Sequence, residues 1–133
     1  MPETAPQKPL IDKLGVKPGQ HIIVLGIDDE AFLASVEQRS GEHTCSPGTE
    51  EGGCDIIFLG IEDEEDLTWL KRVQGHLKPS GAIWAIFHKG RTEGITASDV
   101  RAAGLECGLV DIKVVSFSAT HTGLMFVVPI AER

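Results

Sequence analysis

The sequence lacks a long apolar run and has few basic residues. No stretch approaches the roughly 18 apolar residues needed to span a bilayer, and residues 1–8 contain no apolar segment typical of a signal peptide. Lys and Arg number 12 against 20 Asp and Glu, which gives a formal net charge of −8. Such a surface repels phosphate backbones and anionic headgroups, so we expect a cytoplasmic protein that binds neither nucleic acid nor membrane.

Cysteine is also scarce, and common catalytic motifs are missing. The three cysteines, Cys45, Cys54 and Cys107, form no paired framework, which favours a reducing compartment. The chain contains neither the Gly-x-Ser-x-Gly motif nor the Gly-x-x-x-x-Gly-Lys phosphate-binding turn. The sequence therefore identifies no nucleophile and no catalytic residue.

The composition is that of one folded domain. The chain has 133 residues, of which 41% are hydrophobic and 24% charged, both ordinary values for a globular protein. Residues 1–8 carry Pro2 and Pro6 among polar residues and are predicted to form a flexible tail. Residues 9–133 are predicted to form a single α/β domain.

Continuous apolar runs at 21–25, 55–61 and 82–87 predict three strands that are buried on both faces. Helical patterns follow each of them, at about 28–36, 62–77 and 96–105, with Val100 and Leu105 pointing inward in the last. Residues 77–81 are predicted to form a turn, and residues 38–53 a long loop in which a short strand could form at 42–45.

The last two apolar runs, at 112–118 and 124–128, are separated by too few residues for a helix and predict an antiparallel hairpin. Alternating strands and helices require a parallel sheet. The predicted fold is therefore a three-layer, Rossmann-like mixed sheet that is mostly parallel and ends in a C-terminal antiparallel hairpin.

This order resembles the sheet of class I S-adenosylmethionine-dependent methyltransferases, and the turn at 77–81 is similar to one common in that superfamily. The segments 13–19, 109–114 and 122–127 are similar to a family of small bacterial domains of unknown function. The resemblance implies that S-adenosylmethionine would bind at a glycine-rich turn after the first strand. An acidic residue after the second strand would hold its ribose.

Both of these positions depart from the methyltransferase pattern. The first turn reads Gly26-Ile27-Asp28-Asp29-Glu30, with a single glycine, and Glu42 is the one candidate for the ribose residue. From these departures we interpret the chain as binding no cofactor. The predicted function is a non-catalytic or ligand-binding methyltransferase-like module, with a small methyltransferase that has a degenerate cofactor turn as the alternative.

Ligands of open α/β sheets bind beyond the carboxyl ends of the strands, where the strand order reverses. We expect such a crevice between the first and second long strands. The candidate ligand-binding residues there are Gly26, Asp28, Asp29, Gly60, Glu62 and His88. The alternative is that the carboxylates cap helices.

Basic residues beyond the third strand form the best single site hypothesis from the sequence. His88, Lys89 and Arg91 follow that strand, where an anion could dock, and residues 120–122 are of similar standing; the alternative is an exposed basic loop. The acidic run 62–66 and the trio His43, Cys45 and Cys54 lack the spacing of a metal site, so no metal is predicted. The expected partner is an unknown small molecule or protein, and the hairpin edge could also pair two copies of the chain.

Overall fold

The structure is a computed structural model that describes residues 10–40, 53–89 and 94–129. The predicted flexible tail, most of the predicted loop at 38–53 and its possible short strand lie outside these residues. In chain order the elements are α1 (Leu10–Lys13), β1 (Ile22–Leu25), α2 (Glu30–Ser40), β2 (Cys54–Gly60), α3 (Glu64–Leu67), α4 (Trp69–Gln74), β3 (Leu77–His88), α5 (Ala97–Glu106), β4 (Val110–Ser116) and β5 (His121–Val127).

The described strands form one five-stranded sheet in the order β1-β2-β3-β5-β4. β1, β2 and β3 are parallel, with Ile23 opposite Ile57 and Ile57 opposite Ile83. β5 is antiparallel to both of its neighbours, β3 and β4, so β4 runs in the same direction as the first three strands. The predicted mixed sheet, mostly parallel with an antiparallel C-terminal pair, is confirmed.

Helices cover both faces of the sheet at β1, β2 and β3, which explains the continuous apolar runs of these strands, whereas Ile112 and Val114 of the edge strand β4 are exposed. One core contains Ile57, Ile83 and Phe126 and includes residues from α4 and α5. The other contains Phe58 and Trp84 and includes residues from α2. The indole N–H of Trp84 donates a buried hydrogen bond of 3.0 Å to the Leu14 carbonyl, which fastens the segment after α1 to the sheet.

The helix predicted at 62–77 is wrong in detail. Two short helices, α3 and α4, replace it, and Leu77 belongs to β3. The predicted turn at 77–81 lies within β3, where the five steps from Leu77 to Ala82 face the two steps from Cys54 to Ile56. The extra residues form an irregularity in the ladder, so the turn residues bend the strand instead of ending the helix.

The inward position predicted for Leu105 is also wrong. Its side chain is 57% exposed, whereas Leu109, just beyond α5, is 1% exposed. A Cβ atom added at Gly104 would lie 2.1 Å from the Phe126 ring, so α5 approaches the sheet through Gly104. The next residue, about 100° further around the helix, therefore faces solvent.

The start of α5 follows the prediction closely. The Thr96 hydroxyl accepts a hydrogen bond from the Asp99 N–H, and the Asp99 carboxylate accepts one from the Thr96 N–H. This reciprocal pair is a capping box, which satisfies two backbone donors at the helix start. No helix in the described part of the chain is long and apolar enough to cross a membrane.

Candidate functional site

A crevice of about 220 Å³ opens at the carboxyl ends of β1 and β2. One wall, which we call the acidic wall, is formed by Gly26, Asp28, Asp29, Gly60 and Glu62. These are five of the residues that the sequence predicted at the strand ends. The structure brings them together in one cavity because β1 and β2 are parallel neighbours that end at the same edge of the sheet.

The two glycines allow the strand ends to approach each other. Gly26 has a φ of +71°, a conformation that favours glycine. A Cβ atom at Gly60 would lie 2.3 Å from the Gly26 carbonyl oxygen, and one at Gly26 would lie 3.2 Å from the Gly60 oxygen. Because neither position has a side chain, the backbones of Gly26 and Gly60 can contact each other at the base of the crevice.

The three carboxylates of the acidic wall have different roles. Asp29 caps α2, since its Oδ1 accepts a hydrogen bond of 3.1 Å from the Phe32 N–H. Asp28 is exposed, and its carboxylate has no hydrogen-bond partner among the described residues. Glu62 is also exposed, and its own N–H, not its carboxylate, bonds to Asp66 Oδ2. Capping thus accounts for Asp29 and leaves the carboxylates of Asp28 and Glu62 to the crevice.

The opposite wall comes from the connection between β4 and β5, and we call it the hairpin wall. It contains Phe117, Ser118, Thr120 and His121. Thr120 Oγ1 lies 2.7 Å from His121 Nδ1, and Ser118 Oγ accepts hydrogen bonds from the backbone N–H groups of Thr120 and His121. These contacts hold the imidazole at the crevice.

Residues 120–122 were a candidate site in the sequence, but the sequence did not place them beside the acidic wall. His121 lies opposite His88 in the β3–β5 register, and their ring centroids are 4.1 Å apart. His88 ends β3 and His121 begins β5, so the two side chains are adjacent only once these strands pair. No local signal in the sequence indicates this contact.

The structure gives His88 and Lys89 different partners, and Arg91, the third basic residue of the anion site that the sequence suggested, lies outside the described residues. His88, the last residue of β3, stacks on His121, whereas the Lys89 ammonium donates a hydrogen bond of 2.6 Å to Ser116 Oγ. Neither residue lines the crevice itself.

The positions considered for a metal have other roles. Burial, above all, raises the pKa of the Cys54 thiol to about 11, and its S–H is within hydrogen-bonding distance of the His21 and Ile56 carbonyls. Asp63 caps α3 by accepting a hydrogen bond from the Asp66 N–H. His43 and Cys45 lie outside the described residues. Within the described ranges, no three His, Cys, Asp or Glu side chains are grouped so that they could hold a metal ion.

No known family model and no curated protein matches the chain. The resemblance to small bacterial domains therefore stays a prediction.

Solved structures do match the fold of this chain. A SAM-dependent methyltransferase from Aquifex aeolicus is 14% identical with a TM-score of 0.67, and the match covers 90% of this chain and 88% of that one. A putative type 11 methyltransferase from Sulfolobus solfataricus is 14% identical with a TM-score of 0.68, covering 93% and 92%.

A third similar structure is geranyl diphosphate methyltransferase in complex with SAM. It is 11% identical with a TM-score of 0.67, and the match covers 89% of this chain and 82% of that one. At such identities the likeness shows the fold, and the chain has the Rossmann-like fold of class I methyltransferases. The interpretation that no cofactor binds is corrected by this comparison, because a protein with the same fold carries S-adenosylmethionine. A turn with one glycine is no ground for excluding it.

Proposed function

We propose that this chain binds S-adenosylmethionine in the strand-end crevice and is a small methyltransferase. The observation that carries the proposal is the crevice itself. Asp28 and Glu62 line it at the carboxyl ends of β1 and β2, the strand ends at which open α/β sheets bind ligands. The reversal of strand order expected at this point is not found among the described strands, because β1, β2 and β3 follow one another in the sheet. The fold shared with S-adenosylmethionine-dependent enzymes supports the same ligand.

The chemistry of the acidic wall suits this cofactor. S-adenosylmethionine has a positively charged sulfonium, an ammonium group and ribose hydroxyls. Carboxylates accept hydrogen bonds from the ammonium and the hydroxyls and attract the charge of the sulfonium. The volume of about 220 Å³ is below the roughly 300–1,000 Å³ of typical small-molecule pockets. The crevice would therefore enclose part of the cofactor and leave the remainder in contact with solvent.

The hairpin wall would receive the methyl acceptor. When bound, S-adenosylmethionine supplies an electrophilic methyl group. Ser118 and Thr120 provide hydroxyls that orient an acceptor O–H or N–H, and the His121 imidazole takes up the proton that the acceptor releases. The hydrogen bond at His121 Nδ1 fixes the orientation of the ring for this task.

Calorimetry with S-adenosylmethionine and S-adenosylhomocysteine tests the proposal. The variant Asp28→Asn keeps the size of the side chain and removes a charge, so we expect roughly ten-fold weaker binding of S-adenosylmethionine. Glu65→Gln is the matched control, because Glu65 is an exposed carboxylate outside the crevice. His121→Asn should retain binding and lose methyl transfer to a panel of small phenols, acids and amines.

Two results would contradict the proposal. If neither molecule binds to the parent protein, the crevice is not a cofactor site. If Asp28→Asn and Glu65→Gln weaken binding equally, the effect comes from the overall charge of the protein and not from the crevice.

A further inference from the structure

A second cavity, a groove of about 940 Å³, runs along α5 beside α3 and the first turn of α4. Its floor contains Leu67, Ile95 and Ala103, which also pack in or against the core, and the exposed Ala102. These side chains offer apolar contact and no hydrogen bonds. An occupant therefore needs an apolar face.

The rims of the groove are acidic on both sides. Asp63 and Glu64 lie at the α3 rim, beside Glu62, which also lines the strand-end crevice, and Asp99 and Glu106 lie at the α5 rim. Among the lining residues that the structure describes, Lys71 is the one Lys or Arg. Carboxylates that face each other across a groove repel one another, and a cation between them reverses the sign of that interaction.

Ion pairs within the described ranges do not neutralise these carboxylates. Those pairs are Arg39 with Asp12, Lys78 with Asp55, and Arg101 with Asp111, and all of them lie outside the groove. A second copy of this chain, with a net charge of −8, would add to the repulsion. The complementary occupant is therefore basic.

We propose that this groove docks a basic peptide segment of a partner protein, with its apolar side chains on the floor and its Lys or Arg side chains against the rims. Such a segment is an amphipathic helix or an extended strand with apolar residues on one side. This proposal does not depend on cofactor binding, because the groove is tested without S-adenosylmethionine.

The test is fluorescence anisotropy with a labelled synthetic peptide of Lys and Leu in an amphipathic helical pattern. The double variant Glu64→Gln/Glu106→Gln removes one charge from each rim, and we expect roughly three- to ten-fold weaker binding. The control Glu30→Gln/Glu37→Gln removes the same charge from exposed positions of α2, outside the groove. It should bind the peptide nearly as the parent does.

A second pair of variants tests shape. Ala102→Trp fills the groove from an exposed position of α5 and should abolish binding of the peptide. Ala34→Trp, at an exposed position of α2 outside the groove, should leave that binding unchanged. Circular dichroism checks that each variant is folded.

Three outcomes would contradict the proposal. An equal loss of peptide affinity in both double charge variants would mean non-specific attraction to an acidic protein. Binding by Ala102→Trp as tight as that of the parent would mean that the groove is not used. A dimer in sedimentation that Ala102→Trp disrupts would make a second copy the occupant and overturn the proposal.

Discussion

Single atoms decide how β1 and β2 meet at the crevice. The oxygen of Gly26 occupies the space in which a side chain at Gly60 would begin, at 2.3 Å from the Cβ position. Real Cβ atoms do not tolerate a backbone oxygen at that distance, so the strand ends must separate if a side chain is introduced. The geometry of the crevice therefore depends on hydrogen atoms at two glycine positions.

We predict that Gly60→Ala lowers the free energy of unfolding by about 2 kcal/mol, the typical cost of overpacking a well-packed site. Gly75→Ala is the matched control. Gly75 has a φ of −64°, and its nearest contact for a Cβ atom is at 3.8 Å. That control should change the free energy of unfolding by less than about 1 kcal/mol. Urea unfolding measures both, and equal effects would contradict the contact.

At the scale of elements, one carboxylate joins the starts of three parallel strands. Asp55 of β2 accepts a hydrogen bond from the His21 N–H before β1 and another from the Lys78 ammonium of β3, both at 2.9 Å. Partial burial raises the pKa of Asp55, but these two partners outweigh it and hold that pKa below its ordinary value. Asp55 thus stabilises the alignment of the strands in its ionised form.

The sign of this shift predicts a dependence on pH. A lowered pKa in the folded state stabilises the protein above the unfolded-state pKa of about 3.9, and the contribution is lost as the pH falls through the folded-state value. Lys78→Met should therefore cost about 0.5–1 kcal/mol near neutral pH, a modest figure because Lys78 is partly exposed.

The difference between Lys78→Met and the parent should shrink below about pH 4. Urea unfolding at a series of pH values measures it. Lys17→Met, at an exposed position outside the three described ion pairs, is the control and should show no such trend. A difference that stays constant across the series would mean that Lys78 acts through packing alone.

At the scale of the whole molecule, the sheet separates two cores, and hydrogen bonds and ion pairs join segments that are distant in the chain. Trp84 is 0% exposed in one core, and its indole N–H reaches the Leu14 carbonyl, 70 residues away in the chain. Arg39 of α2 adds an ion pair to Asp12 of α1 on the same side of the sheet. The N-terminal helix is thus part of the cooperative structure.

We predict that Trp84→Phe lowers the free energy of unfolding by about 2–4 kcal/mol, because it leaves a cavity and an unpaired buried carbonyl. Trp69→Phe should cost less, since Trp69 is half-buried and stacks with Arg72 at the surface. Urea unfolding compares the two. Hydrogen exchange should show faster exchange in α1 in the first variant alone, and unchanged exchange there would contradict the link to Leu14.

The sequence by itself determined the central strands and the start of α5, which depend on residues that are neighbours in the chain. The runs at 21–25, 55–61 and 82–87 coincide with most of β1, most of β2 and the C-terminal half of β3, because continuous β-branched and apolar residues suit a sheet covered on both faces. Thr96 and Asp99 set the start of α5 because a capping box needs only four successive residues. The clustering of Asp28 and Glu62 also followed, once parallel strands were assumed.

Tertiary structure alone decided the contacts that join distant parts of the chain. It set Leu105 outside and Leu109 inside, through the packing of Gly104 on Phe126. It inserted β5 between β3 and β4, which placed His121 on His88 and so built the hairpin wall. The reason is physical: a side chain's periodicity is fixed by its own backbone, whereas its partner across a sheet is fixed by strand order and register, which depend on the packing of the whole core.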